Sequence, residues 1–211
     1  MKTDALIIFT RNPELGKVKT RLAKTIGDEK ALAVYTDLLL HTKNETQAIN
    51  CDKFVFYDSV IVKEDIWSQD FYQKKRQASG DLGQRMQDAF TSLFEMGYQY
   101  CIIIGSDLFD LKVALIETAF KKLRDHDVVI GPAEDGGYYL LGLKKNNTLI
   151  FQNKDWGTST VFEATVRDLE SYKICLLDRL NDIDTFDDLK RSNYDWAKLN
   201  PVLYASTMKK S

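Results

Sequence analysis

The chain has 211 residues, with 29 Lys and Arg against 31 Asp and Glu, a formal net charge of -2 and 44% hydrophobic residues. That length suits one domain with enough mass for a real core, and the charge balance excludes a general nucleic-acid binder, which would be basic. No apolar run approaches the length of a membrane span, and the apolar stretch near the N-terminus is too short for a signal segment, so a cytoplasmic protein is expected.

Short apolar runs alternate with helical patterns, which predicts an α/β sheet. Ala5–Phe9 reads as the first strand and leads into a basic loop, RNPELGKVKTRL, from Arg11 to Leu22. Asp28–Ile49 reads as a helix, with Leu32, Tyr35, Leu38, Leu39 and Thr42 at helical spacing. Lys53–Tyr57 reads as a strand, Ile61–Gln69 as a helical turn, and Phe71–Ala78 as another short strand. A turn from Gly80 to Gly83 precedes a helix over Gln84–Met96, ended by Gly97. Tyr100–Ile104 is a fully apolar strand stopping at Gly105–Ser106–Asp107, and Val113–Leu123 reads as the next helix. Asp127–Ile130 and Tyr138–Leu143 read as strands flanking the turn Ala133–Gly137. Ser159–Leu169 reads as a helix and Tyr172–Leu177 as a strand. A last helix is expected over Thr185–Trp196, with Thr185 as N-cap and Asp187 and Asp188 in its first turn. No linker or repeat interrupts the series, so a single domain over 1–211 is expected.

Cys51, Cys101 and Cys175 lie far apart with no CxxC spacing, which predicts free thiols in a reducing compartment. His41 and His126 have no Ser, Cys or metal-ligand companion nearby in sequence, which argues against a triad.

In open α/β sheets, ligands bind beyond the carboxyl ends of the strands. That rule selects the turns richest in Gly, acid or cation. The Arg11–Leu22 loop brings Gly16 together with Arg11, Lys17, Lys19 and Arg21, a pattern suited to phosphate, or else a solvated basic surface. It is not a Walker A loop, because Val18 stands where Ser or Thr would hold magnesium. Asp107 ends the most apolar strand and is placed to hold a hard divalent cation, whereas Asp110 reads as an N-cap of the next helix. Gly136 and Gly137 make a hairpin turn that leaves Glu134 and Asp135 at the sheet edge. Thr158 to Thr160 offer hydroxyls at a helix N-terminus, for an anion or a cap. Asp182 and Asp184, two apart, share one face of an extended segment.

Taken together, GKVKTRL, QASGDLGQRM, GSD, GPAEDGGYYLLGL, the W-x-T-x-x-V of Trp156–Val161 and the D-I-D-T before the last helix resemble bacterial glycosyltransferase-like proteins of the nucleotide-diphospho-sugar transferase superfamily, of the arsenosugar-biosynthesis type. The pattern is similar, more distantly, to 2-phospho-lactate guanylyltransferases and molybdenum-cofactor nucleotidyltransferases. The resemblance covers roughly residues 4 to 190 and departs at Leu108–Phe109–Asp110, where the family usually has a small residue or Cys and then Pro.

This resemblance implies a GT-A-type three-layer α/β/α sandwich with a mainly parallel sheet. It implies a metal-dependent glycosyltransferase using a nucleotide-sugar donor and a small-molecule acceptor. A nucleotidyltransferase joining an NTP to a phosphorylated small molecule, or a non-catalytic nucleotide-binding protein, is the alternative. Lys19 and Arg21 would contact the nucleotide phosphates, with Gly16 beside them, and replacing either would leave thermal stability nearly unchanged. Gln77, Gly80, Asp81 and Leu82 would lie near the base, and Asp135, Gly136 and Gly137 would face a sugar or acceptor. Asp107 and Asp184 would hold Mg2+ or Mn2+, and without metal their repulsion would raise at least one pKa. Glu134 or Asp135 would act as base toward the acceptor hydroxyl; the sequence does not choose between them.

Overall fold

The structure, a computed structural model, describes residues 3–199. Seven strands form one sheet: β1 (Asp4–Thr10), β2 (Asp52–Tyr57), β3 (Tyr72–Arg76), β4 (Tyr100–Ile104), β5 (Val128–Pro132), β6 (Tyr138–Leu143) and β7 (Ile174–Leu176). Their spatial order is β3-β2-β1-β4-β6-β5-β7, parallel except for β6, which runs antiparallel to both neighbours. Strand order reverses between β1 and β4, so the loops leaving these two strands open a crevice at their carboxyl ends.

The alternation of side chains along β1 builds both faces. Leu6 and Ile8 face one layer with α2 (Asp28–Gln47) and α4 (Val113–Asp125), through Tyr35, Leu39, Ile116 and Phe120. Ala5 and Ile7 face the other, with α3 (Leu82–Glu95) and α5 (Val161–Asp168), through Met86, Phe90, Phe162 and Val166. The arrangement is the three-layer α/β/α sandwich with a mainly parallel sheet.

Two helices sit where the sequence reading placed them differently. The basic loop contains α1 (Thr20–Ile26), a short helix whose Leu22 and Ile26 pack one turn apart into a third core with Val34, Leu38, Ile183 and Leu189. Gly27, at φ 86, ends α1 and starts α2, its N–H bonding Ala23 O and its carbonyl receiving Ala31 N–H; this backbone favours glycine. The C-terminal helix is shorter than expected, α6 (Phe186–Arg191), because the chain turns away at Ser192. Its Thr185 N-cap stands as read, with Asp187 and Asp188 in the first turn, and the structure adds a capping box between Thr185 and Asp188.

Residues 61–69 form no helix. Asp65 instead gathers donors across the β2–β3 edge: Tyr57 Oη at 2.6 Å, Lys74 Nζ at 2.7 Å and the Trp67 N–H at 2.9 Å. These ties hold Trp67, 1% exposed, edge-on against Tyr72. The turn expected from Gly80 to Gly83 is the start of α3: Asp81 is its N-cap and makes a capping box with Gln84. Asp110 is not the cap of α4. That position belongs to Lys112, and the Val113 N–H is met from α2 by Glu45 at 2.8 Å.

The β5–β6 turn is locked to the start of α5. Gly136 has φ 90, its carbonyl accepts the Phe162 N–H at 2.9 Å, and a Cβ there would lie 2.2 Å from Ser159 O. The neighbour is backbone and cannot swing away. Gly136→Ala is therefore expected to destabilise the fold by about 1–3 kcal/mol, read as a lower urea midpoint at unchanged slope. An unchanged midpoint would show that the turn yields freely.

Candidate functional site

The crevice at the β1/β4 switch point is a cleft of about 420 Å³, within the range of small-molecule sites. Its floor is carried by the ends of β1 and β4, one wall by α1 and the segment before α6, and the other by Leu82, Met86 and Trp156. A second, more polar hollow adjoins it and shares Arg21, Asp135, Asp182 and Asp184.

Lys19 organises the floor. It stands at φ 47, a left-handed backbone sparsely populated by residues other than glycine, as the N-cap of α1. That turn sends its side chain, only 4% exposed, inward, so that Nζ lies 3.1 Å from Asp107 Oδ2 and 2.7 Å from Asp184 Oδ1. Burial opposes its charge, but Asp107 and Asp184 outweigh burial and hold the ammonium above its ordinary pKa. Burial likewise opposes ionisation of Asp184, but Lys19 and then Arg21 draw its pKa below the usual carboxylate range. Arg21 Nη1 lies 3.7 Å from Asp184 Oδ2 and is 64% exposed at the rim.

The two acids meet through the chain's path. Beyond β7 the backbone runs along the end of β5, with Leu180 bonded to Pro132 O and Glu134, and then crosses to the β4 loop, where the Ile183 N–H meets Asp107 O at 3.2 Å. This crossing also delivers Asp182. Burial, reinforced by the charges of Asp107, Asp135 and Asp184, pushes the Asp182 carboxyl up to about 7. The sequence expectation that repulsion between Asp107 and Asp184 would raise a pKa of that pair is not met: the Lys19 ammonium bridges the two and Asp184 is drawn down, and the raised carboxyl is Asp182, which the expectation did not name. The spacing of two residues from Asp184 was the signal for Asp182.

The remaining expected residues divide. Arg11, Gln77, Leu82, Asp135, Gly137 and Thr158 line the cleft. Gly16 lies outside it, in an exposed turn where the Lys17 N–H bonds Glu14 O. Gly80 and Asp81 are taken up by the start of α3, with Gly80 against the Gln84 side chain. Gly136 is pressed on Ser159 and faces no ligand space. Glu134 points into the adjoining hollow, 3.0 Å from Arg191 Nη1, so of the two neighbouring acids Asp135 is the one on the main cleft. Asp135 Oδ1 accepts the Gly137 N–H at 2.8 Å, which orients the carboxylate. Arg85, one turn into α3, and the Trp156 ring also line the cleft; the sequence reading quoted both within motifs but gave neither a role, and for Arg85 an arginine on an amphipathic helix carries no local signal.

The departure at Leu108–Phe109–Asp110 is structural. Leu108 is buried, Phe109 sits 4.8 Å from the His41 ring and edge-on to Tyr194, and Asp110 accepts from Asn193. Asp107 keeps its place at the cleft.

For a divalent cation, the carboxylates of Asp107 and Asp184 are hard oxygen donors of the right kind. Among the described residues no group of three His, Cys, Asp or Glu could hold a metal ion by itself. The donor set fits a Mg2+-type site, which takes one or two carboxylates and draws its other ligands from water and substrate phosphates.

Two outcomes follow from this charge arrangement. The folded state holds a proton on Asp182 that the unfolded chain releases above the usual carboxylate range, so stability falls as pH rises toward 7. Asp182→Asn is expected to gain on the order of 1–2 kcal/mol at pH 8 and nothing at pH 4, measured by urea unfolding at both. Equal effects at the two pH values would contradict the assignment. Lys19→Met leaves two carboxylates facing each other. Both are more than a third exposed, so a loss of about 1–3 kcal/mol is expected in place of the unchanged stability anticipated from sequence. A melting temperature equal to wild type would show that solvent replaces the ammonium.

Comparison with known proteins agrees with this architecture. A protein from Desulfovibrio desulfuricans G20, solved as a candidate nucleotide-diphospho-sugar transferase, superposes with a TM-score of 0.85 at 30% identity, covering 93% of this chain and 91% of that one. A cytidylyltransferase from Leptospira borgpetersenii shares the fold at a TM-score of 0.56 and 12% identity, over 90% of this chain and 84% of that chain. A 2-phospho-L-lactate guanylyltransferase from Methanocaldococcus fervens is 26% identical over 162 residues, 75% of this chain and 71% of its own length. Residues 42–158, more than half of the chain, match the family described as "Uncharacterized protein conserved in bacteria (DUF2064)", and the chain belongs to that family.

Proposed function

We propose that the protein is a nucleotide-dependent transferase, and that its reaction is glycosyl transfer from a nucleotide sugar to a small-molecule acceptor. The observation that carries this reading is the buried Lys19 ammonium beside Asp107 and Asp184, with Arg11, Arg21 and Arg85 around the same cleft. Cations fixed at strand ends are what a departing phosphate requires, since negative charge grows on it as the bond breaks. The similarity to the Desulfovibrio protein, named for nucleotide-diphospho-sugar transfer, supports the sugar donor.

In this reading Lys19 and Arg21 bind and neutralise the donor phosphates, and the apolar wall of Leu82, Met86 and Trp156 excludes water. Asp107 and Asp184 would hold Mg2+ or Mn2+, which when bound supplies further charge neutralisation at the phosphates. The adjoining hollow, edged by Arg21 and Arg191, is suited to a polar acceptor. Asp135 lines both spaces and is the side chain placed to take a proton from an acceptor hydroxyl.

Nucleotidyl transfer is the second reading, favoured by the similarity to the guanylyltransferase. There the same cations would neutralise pyrophosphate. The two differ in what leaves, a nucleoside diphosphate or pyrophosphate. Phosphorus NMR of reactions with nucleotide sugars or NTPs, each with Mn2+ and an acceptor panel, separates them. Nucleoside diphosphate release that requires an acceptor supports glycosyl transfer, and pyrophosphate release supports the second reading. Arg21→Ala is expected to weaken nucleotide binding by about 1.5–3 kcal/mol with little change in melting temperature. Normal binding in that variant would make the rim arginine a bystander.

A further inference from the structure

The end of the cleft beside β2 and β3 carries two fixed hydrogen-bond acceptors that the phosphate chemistry does not use. Tyr57 of β2 is in register with Arg76 of β3, so the residues that follow, Asp58 and Gln77, leave the sheet side by side. Both are tied to the same carbonyl at the end of β1: the Asp58 N–H donates to Thr10 O at 3.0 Å, and Gln77 Nε2 donates to it at 3.3 Å. Gln77 Nε2 also donates to Phe56 O at 2.9 Å, and its backbone N–H to Tyr57 O at 2.9 Å.

These contacts decide which way the amide points. Its two partners are carbonyl oxygens, which only accept, so the nitrogen must face them and Oε1 must face away. Gln77 is 9% exposed and lines the cleft, and no donor among the described residues reaches Oε1. Asp58 is held equally firmly. Its Oδ1 accepts the Asn12 N–H at 2.9 Å, and Asn12 is itself stapled to Ser59 and Val60. Asp58 Oδ2 has no hydrogen-bond donor among the described residues. Asp58 and Gln77, leaving adjacent strands and both lining the cleft, thus offer it a carboxylate oxygen and an amide oxygen that can only accept.

We infer that this end binds a nucleobase and selects guanine. Guanine presents two adjacent donors, N1–H and the N2 amino group, on its Watson–Crick edge. Adenine and cytosine place an amino donor next to a ring nitrogen that accepts, and uracil flanks its one N–H with carbonyl oxygens. Any of these would set an acceptor against Asp58 or Gln77, an unpaired and repulsive contact. The inference rests on the reading of the cleft as a nucleotide site and names the base within it; it holds for a guanosine diphosphate sugar and for GTP alike.

The test is equilibrium dialysis of the full chain against GTP, ITP, XTP, ATP, CTP and UTP with Mg2+ present. GTP should bind tightest, and ITP, which lacks only the N2 amino group, about tenfold more weakly. Asp58→Asn keeps an oxygen for the Asn12 N–H but presents an amino donor to the base, so it should reverse the preference of GTP over XTP. A merely structural role for Asp58 would weaken all six together. If Asp58→Asn fails to fold, the wild-type ratio of GTP to ITP decides alone. Equal binding of all six, or a preference for ATP, CTP or UTP, overturns the guanine inference while leaving the nucleotide site intact. Absence of binding by all six overturns both.

Discussion

The rest of the site depends on one buried charge. Lys19 reaches the floor of the cleft because its backbone takes a left-handed turn, and it remains ionised there because Asp107 and Asp184 meet it from two other segments. A lone ammonium in that position would lose its proton, and two lone carboxylates would repel. Each of the three groups makes the others tolerable. The ion triad joins the loop after β1, the loop after β4 and the segment before α6, elements distant in sequence that together form the crevice wall.

That arrangement leaves an imbalance with chemical meaning. Asp182 enters the same pocket with no ion-pair partner among the described residues, and burial first, then the charges of Asp107, Asp135 and Asp184, raise its pKa. A site in this state is prepared for an added positive charge. Phosphates arriving with a divalent cation would relieve the acids and give Lys19 a second partner, so ligand and metal are expected to bind better together than apart. In the proposed reading the cleft would therefore combine an anion-binding loop and a cation-attracting floor within a few residues of the β1/β4 reversal.

Much of the fold was legible in the sequence because its strands are short apolar runs bounded by Gly, Asp and Pro, and its helices carry clear apolar faces. Leu6 and Ile8 against Ala5 and Ile7 follow simple alternation, and the Thr185 cap was readable from four residues. The failures have specific causes. The first helix was hidden in the basic loop because it spans only seven residues and its apolar partners, Ile183 and Leu189, lie far along the chain. Residues 61–69 are shaped by Asp65 reaching across the sheet edge, which no local pattern encodes. At the site, residue identities were readable but their pairings were not: nothing local tied Lys19 of the basic loop to Asp107 and Asp184, and Glu134 looked equivalent to Asp135 until Arg191 claimed it. Long-range charge pairing is set by topology, and topology is the part of a fold that sequence periodicity states least directly.

The central claim is that the cleft holds nucleotide phosphates against Lys19 and Arg21. A crystal structure grown with a nucleotide sugar and Mn2+ tests it most directly. The account predicts phosphate density beside the Lys19 ammonium and the Arg21 guanidinium, with manganese anomalous signal adjoining Asp107 and Asp184. Nucleotide bound elsewhere on the molecule, with Lys19 still engaged only by its two carboxylates, would contradict it.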